Sequence, residues 1–216
     1  MSDWDEAQGP VSRAFNDWYL TDRDQRAFLH LGLRFSETMY EQLWQEVLHE
    51  PGDPEGDMPI DVFSERVDGL LGPDYDWMHL AGVIRDAVTN FEVYLEKARE
   101  EVLHFQGQPV EIPENSPKWW VLSDFFSHLG VDIEALGVKE TRDLRHFLTH
   151  RRGELRTEKL RETYAATNSA AFGSYVIDLD EEKVKDVLDI LGAATRSIDR
   201  FVWQYGWGGV RIELDP

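Results

Sequence analysis

The chain has 216 residues, a formal charge of -20 and no cysteine; 42% of its residues are hydrophobic, with 8 Trp and 11 Phe among them. That is enough apolar material for one sizeable packed domain, and the aromatic content argues against disorder. The missing cysteines exclude a disulfide framework, a cysteine-ligated zinc site and a thiol nucleophile, and the acidic balance repels a phosphate backbone unless basic residues are gathered in one place.

In chain order, residues 1–20 read as an irregular N-terminal arm whose aromatics, Trp4, Phe15, Trp18 and Tyr19, dock it on the body. The acidic start, without an apolar stretch, is not that of a signal peptide. Thr21-Asp22 caps a long helix running to about His49, with apolar residues at helical spacing from Phe28 to Leu48. Three prolines and two glycines between Pro51 and Pro59 predict a loop. A short helix follows over Asp61–Leu71, ended by Gly72-Pro73. The next long helix covers about Tyr75–Gln106, with Met78, Leu80, Ile84, Val88, Phe91, Leu95, Val102 and Leu103 facing in. Residues 107–117 form a connection. Ser116-Pro117 then opens a helix through Trp119, Trp120, Leu122, Phe125 and Phe126, which Gly130 stops. Another helix begins near Thr141 and runs to Gly153, with an extension towards Thr163. Residues 164–174 read as a flexible loop. Asp180 caps a last helix to about Trp203, and residues 206–216 are a tail.

This pattern predicts one all-α domain over residues 1–216, a bundle of about five or six helices with a final closing helix. No strand–helix alternation calls for a doubly wound sheet. No apolar run is long enough to span a membrane, and the composition fits the cytoplasm.

The chemistry concentrates late in the chain, in the run Arg145-His-Phe-Leu-Thr-His150-Arg-Arg-Gly-Glu154. At about 100° per residue, Arg142, Arg145, His146, Thr149, His150 and Gly153 share one broad helical face, while Leu144, Phe147, Leu148 and Leu155 share the other. Residues 139–161 hold eight Lys or Arg against four Asp or Glu, a basic island on an acidic chain. Guanidinium groups hold phosphates, and an imidazole moves protons near neutral pH. RNA cleavage needs both. A solvated helix with intrahelical ion pairs is the plainer account of the same charges.

Arg145, polar His146, His150, Arg151 and Gly153 resemble the Arg-x(4–6)-His motif of HEPN domains, and the likeness covers roughly residues 75–205. It implies a metal-independent endoribonuclease that needs no cofactor, in a toxin–antitoxin or antiviral defence system. Arg145 would stabilise the phosphate and His150 would act as general acid or base. His146 stands where the family often has Asn, and either positions His150 or joins in proton transfer. Arg142, Thr149, Arg151 and Arg152 would bind the RNA. The resemblance further implies a homodimer whose two motif helices face each other, and an antitoxin, if there is one, on a separate chain. Two alternatives stand beside the enzyme: a non-catalytic HEPN-like dimeric binding or regulatory module, and a helical protein-interaction domain.

Other arrangements are weaker. Arg99 and His104 have the same spacing among Glu96, Glu100 and Glu101, a poor place for phosphate. Arg23 pairs with His30, whose neighbours Leu29 and Leu31 mark it as a core or boundary residue. His146, His150 and Glu154 lie at i, i+4 and i+8, a spacing zinc accepts, but the adjacent arginines repel a cation. Trp119-Trp120 reads as core packing before base stacking. Gly173-Ser174 with Asp178 and Asp180 is too compact for a nucleotidyltransferase signature.

Overall fold

The computed structural model describes residues 10–49, 59–70, 74–110, 117–169 and 174–210. Among them are seven helices and one small hairpin: α1 (Arg13–His49), α2 (Pro59–Leu70), α3 (Tyr75–Phe105), α4 (Trp119–His128), α5 (Val138–Arg151), α6 (Glu158–Thr163), β1 (Ala166–Ser169), β2 (Ser174–Ile177) and α7 (Glu181–Tyr205). The chain is an all-α protein, as its hydrophobic periodicity predicts. The expectations for Trp4, the 51–58 loop, Gly72-Pro73, Ser116, Gly173 and the end of the tail fall outside the described residues.

Two compact units divide the chain. One comprises Met1–Gln25, Asp86–Arg145 and Lys185–Pro216, the other Arg26–Arg85 and His146–Val184. In the first, the buried side chains include Phe15, Trp18, Phe91, Tyr94, Leu95, Val102, Leu122, Phe126, Leu144, Leu188, Leu191 and Val202. In the second they include Leu29, Leu43, Val47, Leu80, Ile84, Leu148, Leu155, Val176 and Ile177. Met78, expected to face in, is 58% exposed. Phe28, Leu31 and Phe35 are also exposed, so the apolar residues of α1 do not form a single buried stripe.

Helix ends follow local chemistry where the cap is local. Asp180 accepts a hydrogen bond from the Lys183 amide at 2.7 Å and so caps α7. Gly130, at φ 74, closes α4: its own N–H bonds Ser127 O and that of Val131 bonds Phe126 O, the paired bonds of a Schellman cap.

The start of α1 differs from the sequence expectation. It begins at Arg13, within the segment read as an irregular arm, because Ser12 is its N-cap: Ser12 Oγ accepts from the Phe15 amide at 3.0 Å. Carboxylates distant in sequence complete the cap. Asp199 accepts from the Ser12 amide at 3.1 Å and from its hydroxyl, while Glu101 accepts from the Arg13 and Ala14 amides at 3.1 and 3.0 Å. Acidic groups thus answer the unpaired N–H groups and the positive end of the helix dipole.

The second difference is at residues 164–174, read as loop. Part of that segment is β1, antiparallel to β2, with Thr167 opposite Val176. Gly153–Leu155 lie along β2, where Leu155 N donates to Tyr175 O at 2.8 Å and Ile177 N to Gly153 O at 2.9 Å. Burial of Val176 and Ile177 holds the ladder. The small polar residues of β1 follow their partner rather than a preference of their own.

Candidate functional site

Helix α5 carries the candidate residues, and the boundary between the two units falls within it, after Arg145. In the first unit the structure brings Arg142 and Arg145 to one carboxylate on α3. Arg142 Nε lies 3.5 Å from one oxygen of Glu92, and an Arg145 terminal nitrogen lies 3.9 Å from the other. Arg142 is further engaged. Its guanidinium sits 3.3 Å from the centre of the Trp119 ring and bonds Glu134 at 3.5 Å. The Trp119 indole donates to the same Glu134 oxygen at 2.7 Å. Trp119 is therefore a stacking partner for an arginine, while Trp120 is 67% exposed, so neither has the plain core role expected from sequence.

Arg145 is less committed than Arg142. Its side chain is 31% exposed and its link to Glu92 is an ion pair alone. The Nε groups of both arginines are buried without a hydrogen-bond partner among the described residues. Burying such donors unpaired carries a desolvation cost.

In the second unit, His146 and His150 bring their rings together, centroids 4.4 Å apart and planes tilted by 49°. Residues four apart on a helix are neighbours on its surface. Both side chains are exposed, as are Thr149, Arg151 and Arg152. The Arg151 guanidinium lies 5.8 Å from the Phe147 ring. Phe147, expected inside with Leu144, Leu148 and Leu155, is only partly buried, and its ring is 5.6 Å from that of Tyr164. The others are buried.

Gly153 does not continue the helical face. The helix stops at Arg151, Arg152 takes φ 50, and Gly153 takes φ 70. A Cβ on Gly153 would meet Trp77 Cζ2 at 2.6 Å. Trp77 is itself fixed by donating to Ile177 O at 2.7 Å. This glycine turns the chain out of α5 and into the ladder with β2, a structural need.

Glu154 pairs with Arg156 at 2.6 Å. Among the described residues no group of three or more His, Asp or Glu is arranged to hold a metal ion, and no helix is long and apolar enough to cross a membrane. Elsewhere, His30 is exposed rather than buried. The buried histidine of this unit is His79, whose Nε2 is 3.3 Å from Leu29 O and whose ring fills the space beside Gly32. Sequence spacing did not single out Glu92, Glu134 or His79. The first two act through arginines on a different helix, and a single buried histidine leaves no periodic signal.

Compared with protein-family models, curated proteins and solved structures, the chain finds no match.

Proposed function

We propose that this chain is a HEPN-like, metal-independent endoribonuclease of a toxin–antitoxin or antiviral defence system. The exposed imidazole pair His146 and His150, 4.4 Å apart beside Arg151 and Arg152, is the observation that supports it most. One imidazole takes the proton of a ribose 2′-hydroxyl as its oxygen attacks phosphorus. A second, protonated imidazole, from His146 or, in a homodimer, from the second copy's His150, gives its proton to the departing 5′-oxygen, and a 2′,3′-cyclic phosphate is left behind. His150 serves in one of these roles and His146 in the other or in orienting it. Arg145, five residues before His150, balances the charge that builds on the phosphoryl oxygens. Arg151, Arg152 and Thr149 hold the flanking backbone. In a homodimer the two motif helices would double this set. An antitoxin partner would be a separate chain, and the reaction belongs in the cytoplasm.

The Glu92–Arg145 ion pair favours a second reading. An arginine neutralised by a carboxylate fits a HEPN-like dimeric module that binds without cutting, or a helical protein-interaction domain, and the -20 charge agrees. Incubating the purified chain with bulk RNA in EDTA separates the readings. Cleavage by wild type and none by His150→Ala, with unchanged circular dichroism, supports the enzyme. No cleavage of any RNA by wild type assigns the chain to the binding module.

A further inference from the structure

A cavity of about 610 Å³ opens in the first unit, lined by none of the residues proposed for cleavage, and Trp207 forms part of its wall. Trp207 is 51% exposed yet held in place. Its indole N–H donates to Glu101. Its ring is 4.5 Å from that of Phe105 and stacks on Trp203 at 5.9 Å with planes 12° apart. Gln106, at the end of α3, donates to Tyr205 O at 2.5 Å and Val210 O at 2.7 Å, pinning the segment that carries Trp207. A fixed, half-open aromatic surface is a preorganised place for a planar ring.

The charged groups of the wall divide into spoken-for and free. Glu101 takes the Arg13 and Ala14 amides and the Trp207 indole. Lys97 and Asp17 pair with each other at 2.8 Å. Arg13, Glu100 and His104 also line the cavity; among the described residues their side chains make no ion pair or hydrogen bond, and the His104 ring sits edge-on to Phe105 at 5.5 Å. The remaining chemistry is an aromatic wall, one guanidinium, one carboxylate and one imidazole. A simple anion would meet Glu100 unanswered, and a simple cation would meet Arg13 unanswered.

We propose that this cavity binds a small aromatic zwitterion of the amino-acid class, with its ring against Trp207 and Phe105, its carboxylate served by Arg13 and His104, and its ammonium served by Glu100. The volume lies in the usual range of about 300–1,000 Å³ for small-molecule sites, and each charged end gains a charge-assisted partner.

Isothermal titration of the full chain tests this with L-tryptophan and L-phenylalanine as probes. Indole-3-propionate (no ammonium), tryptamine (no carboxylate) and glycine (no ring) are the comparison ligands. The expected result is saturable binding of at least one aromatic amino acid, and each comparison ligand weaker by about tenfold or more. Arg13→Gln and Glu100→Gln should weaken the amino acid by a similar factor, and Trp207→Ala should abolish binding while the helical circular dichroism stays. Absence of saturation by either amino acid up to about 10 mM overturns the proposal. So does binding that is equal for indole-3-propionate or tryptamine, or unchanged in all three variants.

Discussion

The guanidinium of Arg142 lies over the indole of Trp119, 3.3 Å from its centre, and both side chains converge on Glu134. The three residues close a triangle that ties α5 to α4 and to the turn between them. An arginine used this way has its face covered and part of its fork occupied. It joins helices, a packing role with a measurable stability.

Arg142→Lys keeps the charge but loses the plane that stacks on Trp119 and the fork that reaches Glu92 and Glu134. The substitution should cost about 1–2 kcal/mol, most of it from the lost cation–π stack, because the acidic partners are partly solvated and contribute little. Chemical denaturation measures it. A lysine variant as stable as wild type would mean that the stack contributes nothing.

Gly153→Ala should destabilise more, by about 2–4 kcal/mol, since an alanine at φ 70 is strained and its Cβ runs into Trp77. The damage should centre on the Gly153–Leu155 ladder with β2. Hydrogen exchange at the Leu155 and Ile177 amides should therefore speed up more than at the core of α7. Uniform exchange across the chain, or an unchanged midpoint, would count against this account of the glycine.

Asp199 sets a pH dependence. Burial pushes its carboxyl above the ordinary carboxylate value; the Ser12 hydrogen bonds oppose that shift and the nearby Glu101 charge adds to it. Burial, with the Asp199 charge and hydrogen bond, likewise holds the Tyr94 phenol well above its ordinary value. A carboxyl whose pKa rises on folding binds its proton more tightly in the folded state. Its contribution is therefore complete below the ordinary carboxylate range and is lost as pH rises through the raised value. The stability of wild type minus that of Asp199→Asn should fall as pH climbs through that window. Urea titrations at stepped pH check the sign, and a wild type that gains on the variant as pH rises would contradict it.

The parts of the fold legible in sequence were those with a strong period or a local signal. Helices α3 and α7 repeat apolar residues over many turns, and Asp180 and Gly130 mark ends through bonds within a few residues. The start of α1 had one local mark, Ser12 capping the Phe15 amide, but the rest of its cap comes from Asp199 and Glu101, 187 and 88 positions away, which sequence does not show. The hairpin was hidden for the same reason: β1 pairs because β2 is buried, not because Ala-Thr-Asn-Ser favours a strand. At the candidate site, the meeting of His146 with His150 follows from a spacing of four. The meeting of Arg142 and Arg145 with Glu92 does not, since a carboxylate fifty residues upstream has no reason in sequence to be chosen over its acidic neighbours.

Glu92 supplies the sharpest test of the ribonuclease reading. Arg145 must present its positive charge to phosphate, yet Glu92 draws on it at 3.9 Å without a hydrogen bond. Glu92→Gln removes that competitor. If Arg145 serves the reaction, cleavage in EDTA should persist or rise in this variant, at a cost to stability of about 1 kcal/mol or less. Arg145→Ala and His150→Ala should each abolish cleavage, and the double substitution should add little, because the two groups act on one transition state. His104→Ala and His30→Ala should cleave like wild type. The opposite pattern has a clear meaning. If Glu92→Gln and Arg145→Ala lower the unfolding midpoint alike while wild-type cleavage survives in both, Arg145 is a strut for α5 and the catalytic assignment falls.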